Sequence, residues 1–154
     1  MMILPVSPQV IKKLIDSWAE KKHKKRWQSK TKHILETHEY SHTKIFIREP
    51  NAKIWKTLMK LSRQEIRICT GLITGHNTLM KHLVRMKMAD FDSPYCENCL
   101  EDVEETTYHF VAQCSRFCET RHSVFGKLFL TWNELKSTSI NKILKFVRVS
   151  KRQL

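Results

Sequence analysis

From Pro8 onward, apolar residues fall at Ile11, Leu14, Ile15 and Trp18, the i, i+3, i+4, i+7 spacing of one helical face. Lys12, Lys13, Lys21, Lys22, Lys24, Lys25 and Arg26 crowd the remaining positions, so a basic amphipathic helix is predicted over roughly residues 11 to 33. Beyond Trp27 the periodicity loosens through Ser29, Thr31, Ser41 and Thr43. The alternation Lys44-Ile45-Phe46-Ile47-Arg48 then reads as an extended segment ending at Pro50, which makes residues 28–50 a connector.

The helical period returns after Leu61. Ser62 with Glu65 three residues on is a capping-box pair, which starts a helix near residue 63 and turns Ile66, Cys69 and Leu72 inward, while Gly71 and Gly75 weaken its end. Asn77 can cap a short helix carrying Leu79, Leu83 and Met86, and Pro94 breaks the chain after it. Asp102 and Glu105 form a further cap pair ahead of His109. Ser139 precedes Ile140, Ile143, Leu144 and Val147, the apolar face of a last helix.

Composition agrees with this reading. Three glycines, four prolines and abundant Lys, Leu, Glu, Met and Arg favour helix over sheet, and 41% apolar residues in 154 fill one modest core. The expected fold is mostly α. It is a small helical domain over residues 51–154 organised around one metal, preceded over 1–50 by the basic helix and extended connector.

Between Cys96 and Cys114 the cysteines and histidine follow the pattern C-x2-C-x9-H-x4-C, comprising Cys96, Cys99, His109 and Cys114. A pair of cysteines two residues apart can bend both thiolates onto one ion from a tight turn. A histidine near a helix start and a cysteine after it can complete a tetrahedron. Three sulfurs and one nitrogen suit zinc, and a shell closed by four protein donors leaves no position for an activated water, so one structural Zn2+ is expected. Cys118 follows Cys114 by four residues and is an alternative ligand; Cys69 and His122 have no partner at a recognised spacing. Five cysteines, an odd number, fit metal ligation better than a disulfide framework.

The net charge of +13 is unevenly spread. Residues 90–105 hold Asp90, Asp92, Glu97, Glu101, Asp102, Glu104 and Glu105 and no Lys or Arg, which leaves 28 basic against 8 acidic residues, or +20, elsewhere. A field of that sign favours phosphate polyanions, so RNA or DNA is the expected partner, contacted through Lys12, Lys13, Lys21, Lys22, Lys24, Lys25, Arg26, Lys81 and Arg85. Trp18 or Trp27 could stack on a base, or Trp18 could seat in the core. The acids of 90–105 read as an exposed loop that does not itself grip phosphate. No apolar run approaches the ~20 residues of a membrane helix, and the stretch Met1–Val6 is too short for a signal peptide. A soluble, intracellular chain, nuclear or cytoplasmic, is therefore expected, without membrane or small-molecule partners. With no G-x-S-x-G, glycine-rich phosphate loop or H-E-x-x-H, it is expected not to be an enzyme on its own.

Several short segments occur in an order that resembles one family. They are Leu61 to Glu65, Gly71-Leu72-Ile73-Thr74-Gly75-His76-Asn77, His82-Leu83, Arg85-Met86, Ala89-Asp90, Glu104-Glu105-Thr106 and the Cys/His set, with Lys44-Ile45-Phe46 and Arg121 to Gly126 at the flanks. Together they resemble, over roughly residues 10–150, the C-terminal tail of insect-type non-LTR retrotransposon polyproteins, downstream of their reverse transcriptase and RNase H domains. The resemblance implies zinc at Cys96, Cys99, His109 and Cys114 and a role in binding element RNA or target DNA during reverse transcription. It carries over no polymerase or RNase H activity, because the domains that bear those carboxylates are absent. The rival expectations are a zinc module that docks on the parent polymerase and a non-functional transposon remnant.

Overall fold

The structure, a computed structural model, describes residues 7–37, 43, 46, 47, 52–88, 90–99, 101–152 and 154, with side chains undescribed at 30–37, 52 and 53. It is mostly helical; among the described residues there is no strand, only an isolated antiparallel bridge between Tyr95 and Glu104.

Helix α1 spans Pro8–Thr37. It runs ten residues further than its apolar periodicity, so residues 28–37 are helix and not connector. Gln28, Lys30, Lys32, Leu35 and Glu36 are good helix formers whatever they pack against, and they carry the winding on past Trp27. Thr43 and Phe46 are also helical, and the Ile47 amide donates to the Thr43 carbonyl at 2.9 Å, so the expected extended segment is not extended where it is described. Lys44, Ile45, Arg48 and Pro50 lie outside the described residues, as do Met1–Val6, Ser41 and Ala89. Phe46 packs against the main core. Trp18 does not: it is 64% exposed, and Val10, Ile11, Leu14 and Ile15 are exposed with it.

Helix α2 covers Ala52–Leu58 and α3 Arg63–Thr74. The Ser62 hydroxyl accepts from the Glu65 amide and the Glu65 carboxylate accepts from the Ser62 amide at 2.8 Å, closing the predicted capping box. Gly75 ends α3 at φ 79°, the left-handed conformation only glycine adopts freely. Gly71 has a different function: a Cβ there would stand 2.8 Å from the His76 carbonyl oxygen, so its absence lets the chain fold back tightly. Helix α4, Met80–Arg85, follows, with the Asn77 side chain accepting from the Leu79 amide at 3.0 Å.

After the loop of residues 90–106 the chain makes a π turn over His109–Gln113 and a 3-10 turn over Ser115–Phe117. Helices α5 (Cys118–Phe125), α6 (Trp132–Ser137) and α7 (Ile140–Ser150) complete the domain. Thr131 with Glu134 caps α6, and Ser139 caps α7. The inner face of α7 presents Ile143, Leu144, Phe146 and Val147 to α3 and α5. Phe146 sits among Phe110, Phe117 and Phe125 with ring centroids 5.3, 6.2 and 5.6 Å away. These rings join Leu72, Leu79, Val111, Ala112, Leu130 and Leu135 in one core, each large side chain contributing ~1.5–3 kcal/mol by leaving water. The π turn carrying His109 and Cys114 therefore lies in the core itself.

Candidate metal centre

The loop that holds the first two cysteines is drawn closed at its base. The Cys96 amide donates to the Val103 carbonyl at 2.9 Å and the Glu105 amide to the Pro94 carbonyl at 2.8 Å, so Cys96 and Cys99 project from a short, hairpin-like excursion. The cap ahead of His109 is Thr106: its hydroxyl accepts from the His109 amide at 3.0 Å and its carbonyl from the Phe110 amide at 2.9 Å. The expected pair does not form there, because Asp102 stays in the loop and the Glu105 carboxylate is spent elsewhere.

Residues five apart on an α-helix point about 140° away from each other, so His109 and Cys114 could not share an ion on a regular helix. The π turn resolves this. The Cys114 amide donates to the His109 carbonyl at 2.7 Å, an i→i+5 bond that widens the winding and brings the two side chains round to one side.

Cys96, Cys99, His109 and Cys114 each offer a ligand atom, and these atoms all lie within 4.8 Å of one another. The Cys96 and Cys114 sulfurs are 3.9 Å apart, and the Cys99 sulfur is 3.4 Å from His109 Nε2. A tetrahedral ion with metal–sulfur bonds near 2.3 Å would set such donors ~3.8 Å apart, so the group is of the size a metal ion fills. His109 and Cys114 are fully buried, Cys96 buried and Cys99 half-buried. Cys118, the alternative ligand, lies outside the group.

Burial pushes the Cys114 thiol up to about 12 and raises Cys96 as well, while burial lowers His109. All three shifts favour uncharged groups. A bound cation reverses the balance for the cysteines, because the thiolate is the ligand.

Two residues around the site carry no sequence signal of belonging to it. Glu105, expected in an exposed acidic loop, is 1% exposed. Its carboxylate accepts from the Met80 amide at 2.9 Å, Asn98 Nδ2 at 3.1 Å and Arg152 Nη2 at 3.1 Å, so it caps α4, steadies the cysteine turn and holds the C-terminal segment at once. Arg121, a cation in a strongly basic chain, is completely buried. Its Nε donates to the Leu128 carbonyl at 2.5 Å and its Nη2 to the Cys114 carbonyl, while Nη1 has no partner. No carboxylate among the described residues pairs with Arg121, and burial lowers its pKa. A buried, unpaired guanidinium is costly. One ion of charge +2 bound by three thiolates and a neutral histidine has net charge −1, which would compensate Arg121, while Glu105 and Arg152 neutralise each other. The spacing Cys118, Arg121, Val124, Phe125 is the inward face of α5, a signal that could have placed Arg121 inside.

The expected phosphate contacts divide into two groups. Lys12, Lys13, Lys21, Lys22, Lys24, Lys25 and Arg26 are all exposed along α1. Lys81 is exposed but its amine binds the Glu104 carboxylate at 2.6 Å, and Arg85 is exposed beside it on α4. No helix among the described residues is long and apolar enough to cross a membrane. No family model, no curated protein and no solved structure matches this chain.

Proposed function

We propose that the chain is a zinc-stabilised, nucleic-acid-binding accessory region of the kind found in non-LTR retrotransposon polyproteins, and that it has no catalytic activity of its own. Three thiolates and an imidazole favour zinc over harder cations such as magnesium or calcium, which take oxygen ligands. Four protein donors close the shell, so the ion holds the loop, the π turn and Arg121 together and activates no water.

The observation that carries the nucleic-acid reading is α1. Seven cationic side chains in the span Lys12–Arg26 stand exposed on one helix, opposed there only by Asp16 and Glu20. Such a helix can follow a phosphate backbone by releasing its counterions. The acidic loop at the metal stays away from phosphate and leaves the contact to α1. Lys81, tied to Glu104, and Arg121, buried, add little to it. The test is fluorescence anisotropy with a single-stranded RNA and a DNA duplex between 50 and 300 mM salt. Affinity should fall steeply with salt, and Lys21→Glu, Lys22→Glu, Lys24→Glu, Lys25→Glu together should flatten the slope. Affinity indifferent to salt would sink the phosphate contact.

A further inference from the structure

Two exposed surfaces of this chain are complementary to each other. The first is the face of α1 that carries Ile11, Leu14, Ile15 and Trp18, all exposed. From Trp18 the same face continues at i+3, i+4 and i+7 as Lys21, Lys22 and Lys25, and the Lys22 ammonium lies 5.7 Å from the Trp18 ring centroid. It is an apolar stripe that turns cationic along its length.

The second is an open groove of about 690 Å³ between the metal loop and α6. Phe129, 55% exposed, and Trp132, stacked on Tyr108 with ring centroids 3.5 Å apart, give its apolar floor. Val103 and Glu101 form the opposite wall, with Asp102 exposed next in the chain. Neither Glu101 nor Asp102 has an ion-pair partner among the described residues. It is an apolar groove with a free anionic rim.

We propose that α1 of one copy docks in this groove of a second copy, and that the exchange is reciprocal, giving a two-fold dimer. Trp18 and its aliphatic neighbours would cover Phe129 and Trp132, while Lys21, Lys22 and Lys25 meet Glu101 and Asp102. Charge complementarity selects this occupant: the groove's rim belongs to the acidic stretch of an otherwise strongly basic chain, and α1 sets four exposed apolar residues and three exposed lysines in succession along one face. The overall positive charge of each copy opposes association only weakly, because repulsion beyond ~8 Å is screened at physiological salt. Lys12, Lys13 and Lys24 lie on other faces of α1, so docking leaves cations for phosphate and does not depend on the nucleic-acid reading. A two-fold exchange buries one self-complementary set of contacts twice.

The test is sedimentation velocity on nuclease-treated, zinc-loaded full chain over a 100-fold concentration range. A monomer–dimer equilibrium is expected, and Trp18→Glu or Phe129→Glu should each leave monomer alone. Mixing these two variants should restore a heterodimer, because one intact helix then meets one intact groove. Glu101→Lys with Asp102→Lys should weaken the dimer at least tenfold, and adding Lys21→Glu with Lys22→Glu should recover it. All six positions are exposed, and because the Phe129 ring also lies 5.3 Å from the Arg121 guanidinium, circular dichroism and zinc content are measured on every variant, with Trp18→Glu carrying the test should Phe129→Glu lose zinc. A monomer at every concentration, association that disappears with nuclease, a dimer indifferent to Phe129→Glu, or no heterodimer on mixing would overturn the proposal.

Discussion

Removing the metal should unfold the domain and not merely loosen one loop, and the size of the effect follows from what else holds residues 95–105. That segment is held by one isolated bridge, made of the Cys96–Val103 and Glu105–Pro94 backbone bonds, by the Glu105 carboxylate and by the exposed Lys81–Glu104 ion pair. Fixing about eleven residues costs ~1–2 kcal/mol each, or ~10–20 kcal/mol in all. Four or five hydrogen bonds at ~1 kcal/mol net do not offset that. A structural zinc contributes ~10–16 kcal/mol, which is the missing scale. The loss cannot stay local, because His109 and Cys114 flank Phe110, Val111 and Ala112, and these three are fully buried in the core against Phe117, Phe146 and Leu130. Chelation should therefore lower the helical circular dichroism signal and open the amides of 109–117 to hydrogen exchange together with those of α7. Native mass spectrometry should find one zinc per chain, absent in His109→Ala and retained in Cys118→Ala. Helicity unchanged by chelator, or zinc that survives His109→Ala but not Cys118→Ala, would refute the assignment.

Arg121→Met keeps the volume but removes the cation and two donors to carbonyls. It should cost ~2–4 kcal/mol in denaturant unfolding of the metal-loaded protein and weaken zinc in competition with a chelating dye; a metal affinity equal to wild type would contradict the charge balance drawn above. Phe146→Ala should cost ~3–5 kcal/mol with metal bound, since the ring is fully buried among three others; a loss under 1 kcal/mol would mean the aromatic cluster is not packed. Burial raises the Cys69 thiol from 9.0 to about 11, so at pH 8 it should alkylate far more slowly than the more accessible Cys118, as read by peptide mass spectrometry. The neutral thiol is the form the fold favours. The stability this shift supplies is thus complete below pH 9 and declines as pH rises toward 11, and a protein whose stability rises over that window would refute the burial.

Local signals were legible wherever one residue type performs one local function. The capping box of Ser62 with Glu65 and the apolar face of α7 formed where the pattern put them, because caps and helical faces are decided within a turn or two. The four candidate ligands were legible for the same reason: C-x2-C is a local turn. What the spacing could not disclose is how His109 reaches Cys114, because a four-residue gap fails on an α-helix and succeeds only through the i→i+5 turn that the core enforces. Charge was the least legible property. A carboxylate in an acidic run and an arginine in a basic chain both look like surface, yet Glu105 is buried by donors from its own loop, from α4 and from the C-terminal segment, and Arg121 by two carbonyls. Their burial makes sense together and not singly. With Arg152 facing Glu105, the remaining buried guanidinium needs one negative charge at Cys114, and three thiolates on a divalent ion supply one. A bound divalent ion would make the metal site and the buried charges around it a single electrostatic unit, ordering the loop and making the interior of α5 tolerable to an arginine.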